Sequence, residues 1–289
     1  MKTQVECLPC LCRNAWDIAQ RMTQDPFLRE RIVKSAAKTL SCCELRESPP
    51  EIAGGIIALA NALAHPESKK IRDIYREEKK RTAHLAANLA EMLPELPEYD
   101  EKDFESRLRL AVSGNIIDFG VFSSPTQEMA LQALKSAFSK PVDVSAVREL
   151  EEAVTKANRI LYVLDNCGEA NLDGLFLAPF RDKVTLVVRG EPVFNDVTKE
   201  DLADAGLEGI PFMEIPGTVP GLALEKTIEE FRNAFEKADL VIAKGQGNFE
   251  TLNEYKGKRI SFLFLAKCSV VTALLGVEKL SLQVINHNF

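Results

Sequence analysis

The chain is short of several things. Its 289 residues hold three histidines and one tryptophan, no surplus of basic side chains, and no apolar run long enough to cross a bilayer. Each shortage excludes something. A transmembrane helix needs about 18 or more consecutive apolar residues. The longest candidates here, residues 56–64 and 260–266, have the length of a buried helix or strand. The opening MKTQVECLPCLCR carries Glu6 and cysteines where a secretory leader places an apolar run, so neither a membrane nor a secreted destination is expected. His65, His84 and His287 are scattered, and no HxH or HExxH spacing occurs, which disfavours a histidine-based zinc hydrolase. With 43 acidic against 36 basic residues the formal charge is −7, the wrong sign for coating nucleic acid or an anionic membrane surface. Seven cysteines, an odd number, do not make a disulfide framework in a chain this long, and a reducing cytoplasm is the expected setting. No internal repeat or low-complexity segment interrupts the pattern.

Glycine is scarce in one half only. Four of the 15 glycines lie in residues 1–160, and the other 11 in the rest. The glycine-poor part reads as helix from residue 10 to 93, with Ile32, Ala36, Ala37 and Leu40 at helical spacing and a break at Pro49-Pro50 before a second helix over 51–64. Residues 66–93 alternate charges around an apolar stripe, the mark of a helix with a solvated face. After the breaker cluster at 94–99, helical patterns resume over 104–112, 127–138 and 144–158.

The pattern changes after residue 158. Apolar runs of strand length appear at 160–164, 184–188, 240–243 and 260–265, each followed by a polar or glycine-bearing turn and then a helical stretch. Continuous apolar strands alternating with helices predict a doubly wound parallel sheet of Rossmann-like α/β type, behind an N-terminal all-helical region. The expected division is 1–100 helical and 101–289 α/β, with the site between the two. Trp16 and the Phe-rich run 260–265 are expected in the core, and the tail holding His287 reads as a loose end.

Ligands of an open parallel sheet bind beyond the carboxyl ends of its strands, so the residues after each run carry the functional signal. They are Asp165-Asn166-Cys167-Gly168-Glu169, then Arg189-Gly190-Glu191-Pro192 on to Asp196, then Lys244-Gly245-Gln246-Gly247-Asn248-Phe249-Glu250, then Lys267-Cys268-Ser269. Four loops thus deliver acids, amides and lysines to one sheet edge. Carboxylate and amide oxygens are hard ligands suited to Mg²⁺ or Mn²⁺. Lysines are point charges for a phosphate, and helix N-termini after the loops add N–H donors for an anion. A cation with these groups can polarise a phosphoryl group and activate water.

Read together, DNCGE at 165–169, PVFNDVT at 192–198, KGQGNFE at 244–250, SGNIIDFG at 113–120, AKC at 266–268 and the N-terminal Cys7-Leu8-Pro9-Cys10 resemble the damage-control phosphatase family, formerly domain of unknown function 89, in its subgroup with an N-terminal CxxC. The resemblance implies a helical region packed on a Rossmann-like domain and a divalent-metal-dependent phosphatase. The metal would be Mg²⁺ or Mn²⁺, with Co²⁺ or Ni²⁺ possible. Its substrates would be small phosphorylated metabolites, sugar phosphates or damaged phosphometabolites, and its partners neither nucleic acid nor membrane. It also implies a metal on Asp165, Asn166 and Asp196, with Asn115 and Asp118 reaching the site from the helical side. Lys244 would lie beside the substrate phosphate, with Asn248 and Glu250 positioning it and Glu169 and Lys267 binding substrate. One segment departs from the family: Asp73-Ile74-Tyr75 stands where Asp-Pro-Tyr is common.

The expected mechanism is in-line attack by a metal-activated water, with Asp118 or Glu169 orienting it and Asp165, Asp196 and Lys244 in the catalytic set. A carboxylate nucleophile forming an acyl phosphate is the other route. Cys7 and Cys10, joined by a remote thiol such as Cys12, Cys42 or Cys43, could hold a structural Zn²⁺. Cys167 and Cys268 read as small buried residues beside turns. Two rival functions use the same sheet edge: an S-adenosylmethionine-dependent carboxyl methyltransferase and a non-catalytic phosphometabolite-binding protein. The first wants a glycine-rich loop after the first strand, whereas DNCGE has one glycine and two acids.

Overall fold

The structure, a computed structural model, describes residues 1–64, 68–116 and 126–289. The chain opens with helices α1 (Cys7–Met22), α2 (Pro26–Cys42) and α3 (Pro49–Leu63). Their starts are written in the sequence. Asp25 accepts the Phe27 N–H with Pro26 in the first turn, and Ser48 and Glu51 form a capping box ahead of α3. Pro49-Pro50 therefore begins this helix rather than preceding it, since a first-turn proline lacks only an N–H that has no helical acceptor. Leu11, Ile18, Ile32, Ile52 and Ile56 close a core of their own. Trp16, expected in that core, is 42% exposed; Ala15, Ile18 and Ala19 supply the buried face of α1 instead.

Helix α4 (Ile71–Met92), α5 (Phe104–Ser113) and α6 (Gln127–Ser139) follow, then α7 (Val144–Lys156). The α/β region runs β1 (Ile160–Val163), α8 (Cys167–Leu177), β2 (Val184–Arg189), β3 (Phe212–Ile215), α9 (Glu229–Lys237), β4 (Leu240–Lys244), α10 (Gln246–Leu252), β5 (Ile260–Leu265), α11 (Ser269–Leu275) and β6 (Leu282–His287). Leu85, Ala86 and Leu89 of α4 pack with Leu172 of α8, which joins the helical region to the sheet.

The six strands lie in the order β3-β2-β1-β4-β5-β6. The first five are parallel and β6 is antiparallel to β5. Alternate side chains of the central strands feed two cores. Tyr162, Leu186 and Ile242 face α5, α7 and α8, while Val163, Val241 and Phe262 face α9 and α10. Helices thus cover both faces, the Rossmann-like arrangement that the sequence predicts. Two strands escape the sequence pattern. In β3, Phe212 is 44% exposed and Glu214 interrupts the run. In β6 polar residues break up the apolar ones. His287 is no loose end: it lies in β6, its ring 5.2 Å from that of Phe262. Among the described residues no helix is long and apolar enough to cross a membrane.

The strand order reverses between β1 and β4, both central and adjacent. In open α/β sheets the crevice for ligands forms at such a point. The loops after β1 and β4 carry Asp165 and Gly245.

Candidate functional site

The loops after β1 and β2 are stitched together before any side chain acts. Asn166 and Asp196 form an antiparallel bridge. The Val197 N–H donates to the Asp165 carbonyl (2.8 Å) and the Cys167 N–H to the Asn195 carbonyl (2.9 Å). Asp165, Asn166 and Asp196 consequently share one wall of a cavity of about 550 Å³. Phe194, just before Asn195, holds a left-handed φ of 44°, a conformation that is strained for a bulky side chain and recurs at functional sites.

Each acid has a fixed orientation. Asp165 Oδ2 accepts from the amide nitrogens of Asn166 (2.9 Å) and Asn115 (3.3 Å). Asp196 Oδ2 accepts from Arg189 Nε at 2.7 Å, a pair buried on both sides. Arg189 also donates to the Gly221 carbonyl (2.8 Å) and to Asn248 Oδ1 (3.4 Å). Asn166 begins α8 in a capping box with Glu169. Gly245 has φ +78°, and a Cβ there would fall 2.0 Å from Asp165 Oδ2, so the loop after β4 needs glycine for conformation and for space alike.

These residues fit a hard divalent cation: two carboxylates and an amide oxygen, preset by their own hydrogen bonds, in a cradle that a side chain at 245 would fill. Among the described residues no three His, Cys, Asp or Glu side chains gather as a metal cluster; here the third donor is an amide. The zinc expected of Cys7 and Cys10 likewise finds no third such ligand among the described residues. All seven cysteines are free thiols. Cys7 and Cys10 lie on α1 at the cavity with Cys268, while Cys42 and Cys43 lie at the C-terminal end of α2. Burial pushes the Cys7 and Cys10 thiols above their ordinary value, and the Glu250 charge adds to this. Cys167 is buried, as expected of it, while Cys268 is half-buried, lines the cavity and caps α11 by accepting from the Val271 N–H.

Lys267 lines the same cavity, its backbone N–H held by Gln246 Oε1 at 2.9 Å. Lys244 does not. Its ammonium is wholly buried and donates to Glu169 Oε2 (2.6 Å), Asp173 Oδ1 (2.5 Å) and the Ala111 carbonyl (2.9 Å). The place beside a phosphate that was expected of it differs from this position, because two buried carboxylates capture the charge. Asn115, Glu169 and Asn248 are also buried behind the cavity wall. Asn248 donates to the Lys244 carbonyl at 2.6 Å. Asp118 lies outside the described residues.

Several cavity residues carried no signal in the loops after the strands. Asn14, Asp17 and Arg21 come from α1, and Tyr75 and Glu78 from α4. Tyr75 meets Phe194 edge-on at 5.9 Å, with the Arg21 guanidinium 5.0 Å above its ring. Arg21 is paired to Glu78 at 2.5 Å. Glu250, expected as a positioning residue, lines the cavity; burial pushes its carboxyl up to about 7, opposed by its bond from Gln246 and by the chain's amino terminus. Arg189 and Asp173 were missed as well. Arg189 terminates an otherwise apolar strand, the one local sign that a buried acid awaits it.

Fold and site define a class: a Rossmann-like α/β protein with carboxylate and amide oxygens gathered in a cavity at its switch point, flanked by helices. The family model described as damage-control phosphatase ARMT1-like domain matches residues 3–282, and the chain belongs to that family. A damage-control phosphatase of Pyrococcus horikoshii is 36% identical over 297 residues, spanning 100% of this chain and 99% of its own. One of Archaeoglobus fulgidus is 28% identical, with 96% of each chain covered. The crystal structure of a DUF89 family protein from Pyrococcus horikoshii superposes with a TM-score of 0.85 at 33% identity, covering 99% of both chains. Membership supports hydrolase activity of the metal-dependent phosphatase kind, with a divalent cation and a small phosphorylated metabolite as its companions.

Proposed function

We propose that the chain hydrolyses phosphomonoesters of small metabolites, sugar phosphates or damaged phosphometabolites, using a divalent cation held by Asp165, Asn166 and Asp196. The observation that carries the reading is the convergence of those three oxygen donors, from two different loops, on one cavity that Lys267 also lines. Mg²⁺, Mn²⁺, Co²⁺ and Ni²⁺ all suit such donors. When bound, the cation supplies a Lewis acid for the phosphoryl oxygens and lowers the pKa of water.

The chain's own residues do the rest. Asn166 and Asn115 hold the Asp165 carboxylate in one orientation, and Arg189 does the same for Asp196, so neither acid reorganises as charge develops. Lys267 offers a point charge to a phosphate oxygen. The cavity's helical side, Asn14, Asp17, Arg21 and Tyr75, meets the organic part of the ester and excludes bulk water. Glu169, its two oxygens held by Lys244, Asn115 and Asn166, is unsuited to orient the attacking water.

The test is phosphate release from p-nitrophenyl phosphate and a sugar-phosphate panel, with each cation added back after chelation. Metal-restored turnover supports the reading. Silence across the panel with every cation overturns it, and tight binding of S-adenosylmethionine would then favour the methyltransferase.

A further inference from the structure

We infer that Lys244 is a positioning residue: acting through Glu169, it fixes the amides of Asn166 and Asn115 so that the Asp165 and Asn166 oxygens are set for a cation. The inference rests on reading Asp165, Asn166 and Asp196 as cation ligands.

An ammonium has three N–H donors. All three of Lys244 are engaged, by Glu169, Asp173 and the Ala111 carbonyl, in surroundings with no exposed surface. None is left for a substrate, and freeing one would abandon a buried carboxylate or the Ala111 carbonyl. Asp173 is anchored in turn by the Tyr162 hydroxyl at 2.8 Å. The cluster ties α5, through Ala111, to α8 and to the end of β4.

Glu169 divides its work between its two oxygens. Oε2 meets Lys244, while Oε1 accepts from Asn115 Nδ2 (2.7 Å), Asn166 Nδ2 (3.2 Å) and the Asn166 N–H (3.3 Å). The same two amide nitrogens also donate to Asp165 Oδ2. An asparagine amide can turn over, exchanging its oxygen and nitrogen, when its neighbours both donate and accept. A carboxylate only accepts, so it commits both amide nitrogens toward itself and turns Asn166 Oδ1 to the other side, where it accepts the Glu169 N–H in the capping box and can face a cation with its second lone pair. Such a carboxylate needs a compensating cation to remain buried, and Lys244 is that cation. Gly114 fits this arrangement, since a Cβ there would come within 2.7 Å of Glu169 Cβ. The carbonyl end of Asn115 is buried with no hydrogen-bond partner among the described residues.

The experiment measures Mn²⁺ affinity of the chelator-stripped chain, by calorimetry or by the EPR signal of free Mn²⁺, separately from p-nitrophenyl phosphate kinetics. Glu169→Gln, isosteric but able to donate, and Lys244→Met are each expected to weaken Mn²⁺ binding about 10–100-fold. At saturating Mn²⁺ their KM is expected to stay within about twofold of the parent value. An unchanged Mn²⁺ Kd beside a KM raised about tenfold or more would make Lys244 a direct phosphate ligand and overturn the inference. If Lys244→Met gives no cooperative melt, Glu169→Gln decides alone, and an unchanged Kd in that variant overturns it. The readout is metal affinity, so it decides the matter even for a parent chain that hydrolyses no ester, an outcome that would sink the phosphatase reading by itself.

Discussion

Gly245 and Asp165 meet across the switch point of the sheet so closely that a Cβ on the glycine would lie 2.0 Å from the aspartate's Oδ2. Strand β4 therefore sets the position of a carboxylate that belongs to the loop after β1. Gly245→Ala should do two separable things. The backbone at φ +78° and ψ 154°, a conformation kept essentially for glycine, adds about 1–3 kcal/mol of strain, and the displaced carboxylate weakens divalent-cation binding by about tenfold or more. Gly257→Ala is the control, with φ +89° and nothing within 4 Å of its added Cβ. It should carry positive-φ strain of its own and keep the affinity. Equal metal affinities in the two variants would show that Asp165 is not held in this way.

Asp165 and Asp196 should differ in what their loss does to the fold. Both Asp165→Asn and Asp196→Ala are expected to abolish metal-dependent turnover. Asp196 also neutralises Arg189, and that pair is buried on both sides. Removing it strands a buried guanidinium, which costs about 3–5 kcal/mol. Sequence alone treats the two acids alike, as expected metal ligands; the buried arginine breaks that symmetry. Urea unfolding midpoints check this, and equal midpoints for the two variants would sink it.

What the sequence reveals here follows from what each residue's neighbours along the chain can show. Asp165, Asn166, Asp196 and Lys267 stand in the loops that follow apolar runs, where the fold class dictates that ligand loops lie, and all four line the cavity. The helices of the N-terminal region and the four most apolar strands were legible from periodicity for the same reason. Strands β3 and β6, at the two sheet edges, were not, because each buries one side only partly and leaves polar residues in its run. Lys244 sits in an equally conspicuous place, yet its direction is decided by Glu169 and Asp173, which are 75 and 71 residues away. No local pattern reports such a capture. The contributions of α1 are hidden in the same way, since Asn14 and Asp17 read simply as the polar face of an amphipathic helix.

Glu250 should give the metal-free chain a pH-dependent stability. Its carboxyl is pushed from 4.5 up to about 7, chiefly by burial. The folded chain then holds this proton more tightly than the unfolded one. Stability is full below the unfolded value and falls as pH rises from about 4.5 to about 7, where the group ionises in place. The loss is at most about 3 kcal/mol. Glu250→Gln keeps the shape and the contact with Gln246 but has nothing to ionise, so its unfolding free energy should be flatter over that window. Parallel slopes for the two proteins, measured by denaturant titration at successive pH values, would exclude Glu250 as the source.

Lys267 and Lys244 should separate cleanly, although sequence alone assigns both to the substrate. Lys267 lines the cavity on a loop held by Gln246, whereas Lys244 is enclosed by carboxylates on the far side of the wall. A cation that meets the phosphate directly contributes to ester binding and leaves the metal ligands alone. Lys267→Ala is therefore expected to raise KM for p-nitrophenyl phosphate about tenfold or more while Mn²⁺ affinity stays within about twofold. That is the reverse of the pattern expected for Lys244→Met. The two lysines thus test each other within one pair of measurements. A Lys267→Ala variant with unchanged KM would mean that the phosphate is held by some other group, and the direction in which the ester enters the cavity would have to be redrawn.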